Sequence, residues 1–160
     1  MINVADEVWP PSRVRFWSRQ IGAIVVALGT TVLAGWILGV GAMKGDLPGL
    51  VTMKVNTAVG FILSGLSLWF QTAAELNSRQ SRNGRICAVA LLVLSLLTIF
   101  EFLTGWSLAI DELIVQDIPP TGMASDTYIP GRMSPVTAVL FLLVGTALLI
   151  VDTPDATWLV

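Results

Sequence analysis

Apolar positions along this chain gather into four long runs, separated by stretches in which charge, proline and glycine concentrate. The runs cover roughly residues 20–40, 55–74, 86–106 and 135–151. About 20 mainly apolar residues suffice for a helix to cross a bilayer, so the first three predict full spans. The fourth reaches ~26 Å at about 1.5 Å per residue and should cross with little tilt or with some thinning of the bilayer. The expected class is an all-α integral membrane four-helix bundle.

The second run is repeated in the fourth. Met53, Thr57, Ala58, Val59, Phe61, Leu63, Gly65 and Leu68 recur 80 residues on as Met133, Thr137, Ala138, Val139, Phe141, Leu143, Gly145 and Leu148, in one register without gaps. Two copies separated by a single intervening span enter the membrane in the same direction, so the chain reads as two directly repeated transmembrane hairpins, about 20–74 and 86–151. Within each copy Thr, Phe and Gly fall four residues apart, which places them in one stripe expected to face inward as a packing surface. Gly35 and Gly39 give the first run its own GxxxG contact.

Basic residues set the expected orientation. Arg13, Arg15 and Arg19 precede the first run, and Arg79, Arg82 and Arg85 fill the connection between the second and third. The other two connections mix Lys44, Lys54 and Arg132 with Asp46, Asp111, Glu112, Asp117 and Asp126. Cytoplasmic loops retain Lys and Arg, so both termini are expected in the cytoplasm: a tail over 1–19, the transmembrane domain over 20–152 and a stub over 153–160. Trp17 and Trp69 then fall at the inner surface and Trp36 and Trp106 near the outer one, as interfacial anchors. Asp6 and Glu7 before the basic cluster, and an apolar run longer than a usual signal-peptide core, argue that the first span is retained. Pro10 and Pro11 are expected to keep the tail out of a continuous helix. Ser134 before Pro135 is an N-cap with proline at the first helical position, whereas the matching entry to the second helix carries Lys54 and Val55, so that helix is expected to begin slightly earlier or to cap through Thr52.

Composition agrees with a membrane protein: 54% hydrophobic and 12% charged residues, with a mean hydropathy of +0.78. A net charge of −2 gives no electrostatic footprint for nucleic acid. The chain has no His and one cysteine, Cys87, which excludes His-bearing zinc, copper and haem sites and an internal disulfide. No nucleophile and base arrangement or nucleotide-binding loop is present, so the chain reads as non-enzymatic. No cofactor is identifiable, and lipid or pigment on the flanks stays open.

Glu101 is the one carboxylate deep in an apolar run, and at such depth it needs a partner or a proton. About five residues before Trp106, it lies in the outer third of the bilayer. Helices two and four start from that side, so Asn56, Thr57 and Thr137 come to its level. Glu101 is expected to point into the bundle and meet one of these three, with Lys54 and Arg132 as alternative partners from the rim. Two readings are open for this cluster: a hydrogen-bonding link between helices, or a small polar site covered by the long 107–132 connection, whose acids suit a cation or polar ligand.

The run Glu101-Phe-Leu-Thr-Gly-Trp-Ser-Leu-Ala-Ile-Asp-Glu-Leu113, with Pro130-Gly-Arg-Met-Ser-Pro-Val-Thr-Ala138 after it, resembles the N-terminal membrane region of bacterial sensor histidine kinases and diguanylate cyclases. In that family a duplicated four-helix region with Met-x-Pro-Asn-Thr-Ala phrases precedes PAS and output domains. The resemblance covers roughly residues 15–152. Here Val55 and Asn56 serve one copy and Pro135 and Val136 the other, and no coiled coil, PAS or catalytic domain stands before Val160. The resemblance implies a membrane-anchoring and sensory input domain in the bacterial inner membrane, passing a signal to a cytoplasmic domain or partner, with a homodimer expected where a kinase or cyclase domain follows and a larger membrane complex as the other assembly. The alternative is a small accessory or structural subunit of a larger membrane complex. Proton carriage by Glu101 is a third reading, weakened by the lack of further ionisable steps.

Overall fold

The structure, a computed structural model, describes residues 11–45, 52–72, 78–110 and 131–151. The first ten residues of the expected tail, the C-terminal stub and the acids Asp46, Asp111, Glu112, Asp117 and Asp126 lie outside the described residues.

Every regular element among the described residues is helical. The four long helices are α1 (Pro11–Leu38), α2 (Val55–Gln71), α3 (Ser78–Thr104) and α4 (Pro135–Val151), with one further turn of helix at Gly41–Lys44. The segments Arg13–Leu38 and Arg79–Thr104 are long and apolar enough to cross a membrane. With 17 residues each, α2 and α4 are apolar but span only ~26 Å.

Three helix boundaries differ from the sequence reading. Pro11 starts α1 rather than breaking it, because proline fits the first helical position, where its missing N–H has no intrahelical acceptor. Helical structure therefore already includes Arg13, Arg15 and Arg19. Likewise, Ser78 starts α3, so Arg79, Arg82 and Arg85 stand on its first turns rather than in a loop. The third difference is in α2, which ends at Gln71, with Thr72 leaving helical geometry at φ −97° and ψ 11° while its N–H still donates to Leu68 O at 3.1 Å. Ser134 caps α4, its Oγ accepting from the Thr137 N–H at 3.1 Å. No side chain caps α2, which follows an extended Lys54.

Both α1 and α3 stop on a glycine in the left-handed region. Gly39 has φ +69° and Gly105 φ +73°, values that glycine reaches without the Cβ penalty. Val40 N–H returns to Gly35 O at 2.9 Å, and Gly105 N–H to Glu101 O at 3.0 Å. Among the described residues the Gly35 and Gly39 pair joins no two long helices. Gly39 ends the helix with open space around it, and Gly35 abuts Met43 in the helical turn that follows.

The close helix contact of α1 is made instead by Gly22 and Gly29. A methyl on Gly22 would sit 2.9 Å from Gly65 O, and one on Gly29 2.6 Å from Ala58 O, so the antiparallel backbones of α1 and α2 nearly touch. Small residues allow this, and in lipid such packing is a main source of helix association. The second pair packs similarly, with Gly145 of α4 against Leu92 and the Ala88 carbonyl of α3. On its other side α2 meets α3 and, more lightly, α4, while α1 leans chiefly on α2.

Two small cores result. Val32, Trp36, Val55 and Ala58 close one between α1 and α2, and Leu91, Met133, Ala138 and Phe141 close the other between α3 and α4. Outward faces remain strongly apolar, with Ile24 and Leu28 of α1, Val93 and Leu96 of α3, and Leu140 and Leu143 of α4 all exposed. In both long spans only 28% of the apolar window is buried. A water-soluble core helix would bury far more.

Candidate functional site

The buried face of α3 has the spacing of a packing seam: Ala88, Leu91, Ser95, Thr98 and Glu101 are all fully enclosed. Its hydroxyls are satisfied within the helix, Ser95 donating to Leu91 O at 2.8 Å and Thr98 to Leu94 O at 3.1 Å. Only at the last position does the seam carry a charge.

Glu101 points into the bundle with no exposed surface. Its Oε1 lies 3.4 Å from a terminal guanidinium nitrogen of Arg132, whose side chain is 6% exposed. The same oxygen accepts a 2.7 Å hydrogen bond from the Leu108 N–H. Local structure explains both contacts. Gly105 turns the chain at the end of α3, so that residues 106–108 fold back over the last turn and aim an amide at the carboxylate. Gly131, with φ +69°, bends the chain just ahead of Arg132, and α4 begins three residues later. The guanidinium also rests 5.4 Å from the centre of the Phe102 ring, a cation–π arrangement.

One carboxylate therefore ties three pieces of chain: the end of α3, the segment that leaves it, and the segment that leads into α4. Buried ion pairs of this kind contribute little net stability because desolvation offsets the attraction, yet removing one partner is costly. Such a link is firm while intact and can be released by a change in either charge.

The other residues singled out from the sequence have separate surroundings. Asn56 is 4% exposed in the first turn of α2, beside the fully buried Val55, while Thr57 and Lys54 are half-buried. Thr137 has its hydroxyl 2.8 Å from Ser134 Oγ, within the cap of α4. Of the four tryptophans singled out, Trp17 and Trp106 are exposed. Trp36 is buried instead, its indole N–H donating to Met53 O at 2.8 Å, with Lys44 Nζ 4.4 Å from the ring centre. Trp69 carries Arg19, whose guanidinium carbon is 4.8 Å from the ring centre.

Sequence reasoning missed a second polar contact at the opposite end. Ser67, fully buried on α2, donates to Gly84 O of α3 at 2.8 Å and accepts from Gln71 Nε2 at 2.9 Å. A lone serine among apolar residues gives no depth signal comparable to a charge. The Leu108 amide was equally hidden, since which backbone N–H turns inward depends on the fold.

The antiparallel contacts put the arginines of α1 and α3 at one end of the molecule and the Glu101–Arg132 pair at the other. Among the described residues no group of three His, Cys, Asp or Glu side chains could hold a metal ion. No family model matches the chain, and no curated protein or solved structure is significantly similar to it.

Proposed function

We propose that this chain is the membrane-anchoring and sensory input region of a bacterial signal-transduction protein. In this reading the four helices cross the inner membrane as two directly repeated hairpins, with the arginine-bearing end and both termini in the cytoplasm. The apolar outward faces and the six arginines at one end support that placement. Duplication is supported by the repeated phrase and by the matched use of Gly65 against Gly22 and Gly145 against Ala88.

The observation that carries the functional reading is the Glu101–Arg132 link. It joins α3 to the start of α4 at the end expected to face the periplasm. From there α4 runs the length of the bundle towards the arginine-bearing end. A polar ligand or a protonation event that competes for either charge would free the start of α4 and shift that helix relative to α3. An output element in the cytoplasm would feel the displacement.

The intact mass of the natural gene product tests the reading first. A cytoplasmic signalling domain joined beyond Val160, or a signalling protein that co-purifies with the chain, is the expected result. A product of 17.2 kDa held in a complex without signalling components would favour an accessory subunit instead. In the natural protein, Glu101→Gln should leave membrane insertion intact and change the cytoplasmic output.

A further inference from the structure

A groove of about 650 Å³ runs along the outer side of the α1–α2 pair, away from the Glu101 link. Ala23, Ala27 and Ala34 of α1 form one side, and Leu66, Trp69 and Phe70 of α2 the other. Thr30 and Thr31 also line it, and the Thr30 hydroxyl is spent on Val26 O at 2.8 Å, so the lining is mainly apolar. From Ala23 to Ala34 the groove extends ~16 Å along α1, about half the ~30 Å hydrocarbon thickness of a bilayer. That is the depth of one leaflet.

Cations stand near both ends: Lys44, next to the lining residue Met43, is held over the Trp36 ring, with its Nζ 4.4 Å from the ring centre, while the arginines of α1 stand at the end marked by Trp69. Arg15, Arg19, Ala23 and Ala27 follow one another at four-residue spacing on α1, so the small residues of the groove continue directly from two cations. Trp69 both lines the groove and carries the Arg19 guanidinium, which fixes a positive charge at its mouth. Arg15 is exposed one turn earlier, and α1 contains no acidic residue to neutralise either.

We infer that this groove binds one anionic phospholipid of the cytoplasmic leaflet, with an acyl chain against the alanines and the phosphate held by Arg19 and Arg15. Guanidinium groups suit phosphate because their planar donors can engage two oxygens. A second copy of this chain is a poorer occupant: two copies with the same orientation in the membrane, facing through this groove, would bring their arginine clusters together. The inference rests on the membrane placement proposed above, with the arginine-bearing end in the cytoplasm.

The test uses the whole chain, reconstituted into nanodiscs of equal phosphatidylglycerol and phosphatidylcholine and released for native mass spectrometry. The expected result is one retained phosphatidylglycerol per chain, preferred over phosphatidylcholine on the order of tenfold. Joint replacement Arg15→Gln and Arg19→Gln should abolish the preference. Ala27→Phe, which fills the groove from an exposed position, should release the lipid with both arginines in place, and Ala23→Leu repeats the measurement with a smaller group. Equal retention of the two lipids, retention unchanged by these variants, or a lipid-free dimer that Ala27→Phe breaks would each overturn the inference. A chain that fails to enter the bilayer at all would overturn the membrane placement together with it.

Discussion

Phe61 and Phe141, which hold the same place in the two copies of the repeated phrase, meet edge to face with ring centres 5.4 Å apart and planes inclined at 83°. The contact brings α2 against α4, and Gly60 makes room for it: a methyl there would lie 2.5 Å from the Phe141 ring. Repeat-related residues thus become neighbours across the centre of the molecule.

The pair should be measurable as a coupling. Phe61→Leu and Phe141→Leu together should cost less than the sum of the two single changes, with a coupling of about 0.5–1.5 kcal/mol, typical of aromatic pairs. Reversible unfolding in detergent micelles gives the values. Strict additivity would mean that the rings touch without contributing.

Gly29 and Gly39 separate packing from backbone strain. Gly29→Leu drives side-chain atoms into Ala58 O and should loosen α1 from α2, at a cost of about 1–3 kcal/mol. Gly39→Ala meets no atoms, but holds an alanine at φ +69°, which should cost about 1–2 kcal/mol. Cysteine cross-linking between α1 and α2 should fail in the first variant and persist in the second.

Breaking the Glu101–Arg132 pair from one side should be worse than removing it whole. Glu101→Gln retains an acceptor for the Leu108 N–H but takes away the negative charge beside a nearly buried guanidinium, a change expected to cost about 3–5 kcal/mol. Adding Arg132→Met should recover much of that loss. Thermal unfolding of the single and double variants decides, and a double variant weaker than Glu101→Gln alone would refute the pairing argument.

Ser67→Ala removes the donor to Gly84 O and leaves Gln71 Nε2 without its acceptor. Interhelical hydrogen bonds in membranes average about 0.6 kcal/mol and reach about 1.7, so a loss within that range is expected. Hydrogen exchange at the start of α3 should rise in step.

Glu101 was legible in the chain because a carboxylate within an apolar run stands out on cost alone. The cap at Ser134 was legible too, since it depends on neighbours three residues apart. The Gly35 and Gly39 spacing misled because spacing does not reveal whether a glycine packs or ends a helix. Only φ distinguishes the two.

The linear pattern by itself determined the helical class, the four apolar runs, the repeat of Met53 to Leu68 and the inward place of the one carboxylate within an apolar run. These follow from local periodicity and from the cost of exposing apolar groups to water or burying charged ones. Tertiary structure decided that Arg132 and the Leu108 amide reach Glu101, that Gly22 and Gly29 form the close contact of α1, and that Trp36 turns inward to Met53. Those choices depend on how far each helix continues and how the chain bends beyond it, and these are set by contacts between residues distant in sequence.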